Sequence, residues 1–172
     1  KERNRKRIYI SLGTVNNKNI KFYKNCMKAF EDTNFDVIMS VGNDTDIKSL
    51  GDIPSNFKIE NTVEQIKVLQ ETDVFITHCG MNSTNESLYY GVPMVLFPQH
   101  SEQKMVAERV ESLGAGVMLK RDKIEYIKSA VIQVMNNSEY KERAKSVAKS
   151  FHNSGGAKRA ADAILKVIQE SK

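Results

Sequence analysis

Six short apolar runs, each closed by turn residues, alternate with stretches of helical spacing, and this alternation restricts the fold more than any other feature of the chain. The runs cover residues 7–12, 36–41, 57–60, 73–77, 93–97 and 116–119, and several are rich in the β-branched side chains that fit a pleated, covered surface. Between them, residues 20–31, 63–71, 83–90 and 102–113 show helical spacing and predict helices. Strands separated by helices of this length build βαβ units, in which the strands run parallel and the helices cover the sheet. The runs around Ile10, Ile38 and Ile76 carry few charges inside, which places them centrally, covered on both sides. The expected architecture is α/β: a Rossmann-like parallel sheet of about six strands with helices on both faces.

After Asp122 the strand signals stop. Residues 123–135, 139–150 and 156–168 read as consecutive amphipathic helices, the last two separated by Asn153, Ser154, Gly155 and Gly156. The final helix gathers Ala157, Ala160, Ala161, Ile164, Leu165 and Ile168 on one face, which requires a packing partner. A chain of 172 residues suits one domain with an ordinary core, read here as residues 8–172 behind a basic linker tail, 1–7. Four units of the +5 net charge lie in that tail and the rest is nearly balanced, so no nucleic-acid-binding face is expected. No apolar run is long enough for a membrane span, and no transmembrane segment is expected. Cys26 and Cys79 cannot build a disulfide framework, and a reducing, cytoplasmic setting is the simplest fit.

The chemistry concentrates between Asp73 and Gln103. In open parallel sheets ligands bind beyond the carboxyl ends of the strands, where Thr77, His78, Cys79 and Gly80 should emerge. Gly80 allows close backbone approach, and Asn82, Ser83 and Thr84 bring small polar side chains and free N–H groups to a helix start, a phosphate-attracting arrangement. His78 can donate to a diphosphate oxygen, and Glu86 can accept from sugar hydroxyls. Two plainer accounts stand beside this one. Ser83 and Glu86 have the Ser-x-x-Glu spacing of a capping box, which starts helices without any ligand. His78 can equally be a buried, hydrogen-bonded histidine at a strand end. A Cys79 nucleophile is disfavoured, because no nucleophile-elbow pattern surrounds it. His78, His100 and His152 have no second ligand at metal-site spacing, and Asp44 and Asp46 sit among Gly42, Asn43 and Thr45 as in an ordinary loop, so no metal is expected.

Taken as one string, HCGMNSTNE from His78 to Glu86, GVP from Gly91 to Pro93, Pro98, and the Glu102-Gln103 pair resemble the donor-binding signature of UDP-dependent glycosyltransferases with the GT-B fold. The SLGT of Ser11 to Thr14, with its spacing to His78, is most similar to the bacterial, macrolide-type branch. The resemblance covers essentially the whole chain, as the carboxy-terminal half of that fold. It implies His78 on the diphosphate, Asn82 and Ser83 on phosphate oxygens with Gly80 beside them, and Glu86 on the ribose hydroxyls. It further implies Gly13 and Thr14 on the phosphate side, Gln65 on the nucleoside side, and Glu102 with Gln103 on the hydroxyls of a glucose-like sugar. No cofactor and no metal are implied, since His78 and the helix start would stabilise the leaving diphosphate. In that family the catalytic base, a His with an Asp partner, belongs to an amino-terminal acceptor domain. The chain is therefore expected to bind a UDP-sugar without transferring it alone, and to self-associate through surface that the other half, or a partner subunit, would cover. Three departures stand out: Glu102 stands where Asp is commoner, Glu64 replaces the Pro of related bacterial sequences, and the chain has no Trp for base stacking. A separate donor-binding subunit of a two-chain GlcNAc transferase and a non-catalytic nucleotide-sugar-binding module are the alternatives. A generic dinucleotide-binding domain is weakened by the lack of G-x-G-x-x-G after the first strand.

Overall fold

The computed structural model describes residues 4–13 and 18–170. Strands β1 (Lys6–Ser11), β2 (Phe35–Ser40), β3 (Phe57–Glu60), β4 (Val74–Thr77), β5 (Met94–Leu96) and β6 (Gly116–Met118) form one sheet in the order β3-β2-β1-β4-β5-β6. Every pairing is parallel, and the register aligns the carboxyl ends, with Ser11 opposite both Ser40 and Thr77. The winding direction reverses between β1 and β4, which is where such sheets open a crevice beyond their strand ends.

Seven α-helices are described: α1 (Ile20–Phe30), α2 (Gln65–Gln70), α3 (Met81–Tyr89), α4 (Ser101–Ser112), α5 (Ile124–Asn136), α6 (Ser138–Asn153) and α7 (Gly156–Glu170). Alternation along the strands divides the core into two layers. Ile8, Ile10, Val37, Met39 and Ile76 pack under Phe22 and Phe30 of α1 and Ile127 and Val131 of α5. Tyr9, Phe75, Met94 and Leu96 face the other way, under Leu69, Leu88, Val110 and Ala144 from α2, α3, α4 and α6. All four residues of β4 are buried, as a strand covered on both faces requires.

Several details differ from expectation. The stretch read as a linker tail enters β1 at Lys6: Asp73 accepts the Arg7 backbone N–H at 2.8 Å and meets the Lys6 ammonium at 3.1 Å, and Arg7 also pairs with Glu71. Helix α2 begins at Gln65, two residues late, because the Glu64 side chain makes no capping bond and pairs with Lys67 instead. Asp46 accepts the Lys48 N–H at 3.0 Å and so caps an unforeseen 3₁₀ turn, Ile47–Leu50, which commits it to the loop as a structural residue. Helix α7 forms where expected, but none of its residues is buried, and Ile164, Leu165, Val167 and Ile168 are 52 % to 63 % exposed.

Candidate functional site

A cleft of about 870 Å³ opens at the carboxyl ends of β1 to β4, within the size range of small-molecule sites. The end of β1 contributes Tyr9, Ser11 and Gly13, and the loop after β2 contributes Gly42, Asn43 and Asp44. The segment after β3 adds Asn61, Val63 and Gln65; the turn after β4 adds His78, Gly80, Asn82 and Ser83; and the first turn of α4 adds Glu102 and Gln103. The fold therefore brings together Gly13, Gln65, His78, Gly80, Asn82, Ser83, Glu102 and Gln103 around one space. Thr14 lies outside the described residues.

The turn from β4 into α3 is tight enough to strain the backbone. Cys79 has φ +66°, the one positive value at a non-glycine among the described residues, held by its N–H donating to the Thr77 hydroxyl at 3.1 Å. Conformations of this kind cost on the order of 1–3 kcal/mol and gather at functional sites. They let α3 start immediately: Gly80 is the N-cap, and the first intrahelical bond runs from the Thr84 N–H to the Gly80 carbonyl at 2.9 Å. The N–H groups of Met81, Asn82 and Ser83 precede that bond and stand at the cleft. The capping-box account of Ser83 and Glu86 is thereby overturned, because Ser83 is the third helical residue and no side chain caps this helix. Cys79 is buried and its thiol is pushed up to about 12 by that burial, which leaves no thiolate to act as a nucleophile.

His78 lies in a slot between two glycines. A Cβ on Gly13 would fall 2.6 Å from Cε1 and Nε2 of the imidazole, and one on Gly80 would fall closer still to Nε2. Gly13 also has φ +81°, a conformation that side chains rarely adopt. Burial lowers the His78 pKa below its ordinary 6.5; the Ser11 backbone offsets part of this, and nearby His100 adds to the lowering. The buried Nδ1 has no hydrogen-bonding partner of good geometry, so the Ser11 backbone acts here as a favourable dipole only. A satisfied core histidine would show such a partner, and the plainer account of His78 loses its main support.

On the opposite wall, the Gln65 carbonyl oxygen accepts from the Tyr9 hydroxyl at 2.9 Å, while its amide nitrogen donates to Ser83 Oγ at 3.1 Å and to Glu86 Oε2 at 2.5 Å. Glu86 stands behind Gln65 and is not among the residues lining the cleft. Burial pushes the Tyr9 hydroxyl up to about 12, so it stays protonated. The Gln103 carbonyl oxygen accepts the Gln99 N–H at 2.8 Å, which leaves the amide N–H groups as what Gln103 can offer a ligand. The Asn61 side chain donates to the carbonyls of Gly42 and Thr45, both at 2.8 Å, and so fixes the loop that carries Asn43 and Asp44 on the rim. Tyr9, Asn43, Asp44 and Asn61 were not foreseen as cleft residues. The rule that ligands gather at strand ends, applied to β2 and β3 as it was to β4, points to the last three. Among the described residues no group of three His, Cys, Asp or Glu could hold a metal ion.

The family model described as erythromycin biosynthesis protein CIII-like, C-terminal domain, matches residues 24–161. The chain is 45 % identical over 166 residues to NDP-glycosyltransferase YjiC of Bacillus subtilis (strain 168), covering 95 % of this chain and 42 % of that protein. It is 37 % identical over 165 residues to the uncharacterized UDP-glucosyltransferase YojK of the same organism, covering 95 % and 41 %. The crystal structure of CalG4, the calicheamicin glycosyltransferase, superimposes with a TM-score of 0.91 at 30 % identity, over 98 % of this chain and 44 % of that one. The chain thus spans less than half the length of these relatives.

Proposed function

The chain belongs to the family of erythromycin biosynthesis protein CIII-like C-terminal domains, and from that premise we propose that it is the sugar-donor half of a glycosyltransferase. It binds a UDP-sugar of the glucose type, whose hexose passes to a hydroxyl group of a small-molecule acceptor. One observation carries this reading: the His78 ring, slotted between Gly13 and Gly80, adjoins the N-terminus of α3 at the point where the sheet reverses its winding. The names of the matched relatives, an NDP-glycosyltransferase and a UDP-glucosyltransferase, support the reaction class.

Transfer breaks the bond between the sugar C1 and the β-phosphate oxygen and forms a new one to the acceptor oxygen, whose proton must go to a base. Negative charge grows on the departing diphosphate. His78 and the N–H groups opening α3 meet that charge with dipoles already in place, the form of stabilisation that needs no reorganisation during reaction. Asn82 and Ser83 bind phosphate oxygens, Gln65, held from behind by Glu86, the nucleoside, and Glu102 with the Gln103 amide the sugar hydroxyls. The base and the acceptor pocket belong to the remainder of a longer enzyme, in keeping with relatives that extend far beyond the matched region. That extent favours the half of a single chain over a separate subunit or a non-catalytic module. No metal takes part in this scheme. No helix among the described residues is long and apolar enough to cross a membrane.

Calorimetric titration with UDP, UDP-glucose and ADP, with and without magnesium, tests the proposal. Saturable, magnesium-independent binding that favours UDP over ADP is expected. Equal affinity for UDP and ADP, or no binding of any nucleotide, would overturn it.

A further inference from the structure

We propose that Tyr9 is a positioning residue for the sugar-donor site: acting through Gln65, its hydroxyl keeps the Ser83 O–H turned toward the phosphate of the ligand. The proposal rests on the donor-site reading and adds to it a residue that would otherwise pass for core. Tyr9 is 1 % exposed, and its ring stacks on Phe75 with centroids 4.6 Å apart and planes 13° from parallel. The hydroxyl is therefore fixed by the interior of the sheet.

The order of hydrogen bonds follows from what each group is able to do. A carboxylate only accepts, so the Gln65 atom facing Glu86 at 2.5 Å must be the amide nitrogen, which leaves the carbonyl oxygen to face Tyr9. A phenol O–H donates to that oxygen and thereby holds the amide in this orientation. The two N–H groups are then committed, one to Glu86 and one to Ser83 Oγ. Ser83 and Glu86 are three residues apart on one face of α3, so an unrestrained Ser83 hydroxyl would donate to the Glu86 carboxylate. Gln65 stands as donor to both acceptors and competes with that option. Ser83 spends a lone pair on Gln65 and keeps its proton for the cleft it lines, where an anionic oxygen is the matching acceptor. Without the Tyr9 hydroxyl, Glu86 alone anchors the amide, the N–H that occupies Ser83 Oγ loses the second of its two supports, and the Ser83 proton is freer to fall back onto Glu86.

A double-mutant cycle read by UDP titration tests this. Tyr9→Phe keeps the stack on Phe75 and removes one oxygen. It is expected to weaken UDP binding about three- to tenfold in the wild-type background, the worth of one neutral hydrogen bond, and to change nothing in a Ser83→Ala background. Equal losses in both backgrounds, or no loss in either, would overturn the proposal, since a merely structural role is additive. Wild-type chain that fails to bind UDP would instead remove the donor-site reading and this proposal with it. Should Tyr9→Phe not fold, Gln65→Met takes its place in the cycle, with a smaller loss beside Ser83→Ala than beside Ser83 as the expected result and equal losses as the refuting one.

Discussion

Gly13→Ala isolates the slot that holds His78. The new methyl carbon would lie 2.6 Å from the imidazole, whereas ordinary contact begins near 3.4 Å, so the ring must retreat by at least about 0.8 Å. Backbone strain at φ +81° adds roughly 1–2 kcal/mol against the fold. A shift of this size takes His78 out of the narrow distance window of a hydrogen bond, and losing one to a charged group costs about 1.5–3 kcal/mol, or roughly ten- to 150-fold in affinity. Gly51→Ala is the control. Gly51 has φ +87°, but a Cβ there meets nothing within 4 Å, so it carries backbone strain without a clash against the site. Both variants should melt earlier in thermal denaturation, and only Gly13→Ala should lose affinity for UDP in calorimetry. The reasoning fails if Gly13→Ala binds UDP like the wild type, or if Gly51→Ala loses the same affinity.

Because burial holds the His78 pKa below 6.5, the ring is neutral in the free site at neutral pH, and a bound diphosphate favours its protonated form. Affinity for UDP-glucose, whose own phosphates do not titrate there, should rise as pH falls from neutral through 6.5, and His78→Ala should flatten that rise. The same lowered pKa means that the free chain loses stability as acidification passes 6.5, seen as a falling melting temperature that His78→Ala moderates. Ser83→Ala should change stability by less than the roughly 1 kcal/mol of a lost N-cap while still weakening UDP binding; a large stability loss with unchanged affinity would restore a capping role. Glu86→Gln, which takes a charge-assisted bond from Gln65, should weaken UDP-sugar binding by more than a neutral contact would. The exposed Ile164, Leu165 and Ile168 of α7 should drive self-association, and monodisperse monomer in light scattering at high concentration would refute this.

The sheet was legible because strand signals are local: each β-branched run between turn residues became a strand within two residues of its expected bounds. The start of α3 was not, because Ser-x-x-Glu looks the same whether Ser83 caps a helix or sits inside one, and the deciding features, the positive φ of Cys79 and the side-chain-free cap at Gly80, belong to the backbone. The His78 motif was legible as a string, but its dependence on Gly13 was not, since that contact joins the ends of two strands far apart in the chain. Tyr9 stayed hidden for a related reason. An aromatic on a covered strand reads as packing, and its ring does pack on Phe75; only the hydroxyl, reaching Gln65, belongs to the site.

The strand order bears on how the molecule assembles. β1 comes first in the chain yet lies inside the sheet, with Ile8 paired to Val37 on one side and to Val74 on the other. Until β4 arrives, any early β1–β2–β3 unit presents β1 as a bare apolar edge open to pairing with other chains. Its second face needs α5 as well, which docks on α1, and the segment leading into α5 is tied to α1 by Asn25 donating to the Asp122 carbonyl across almost a hundred residues. Contacts of such separation make for slow folding, and the strand bearing Tyr9 and leading to Gly13 is the one whose surroundings are completed late.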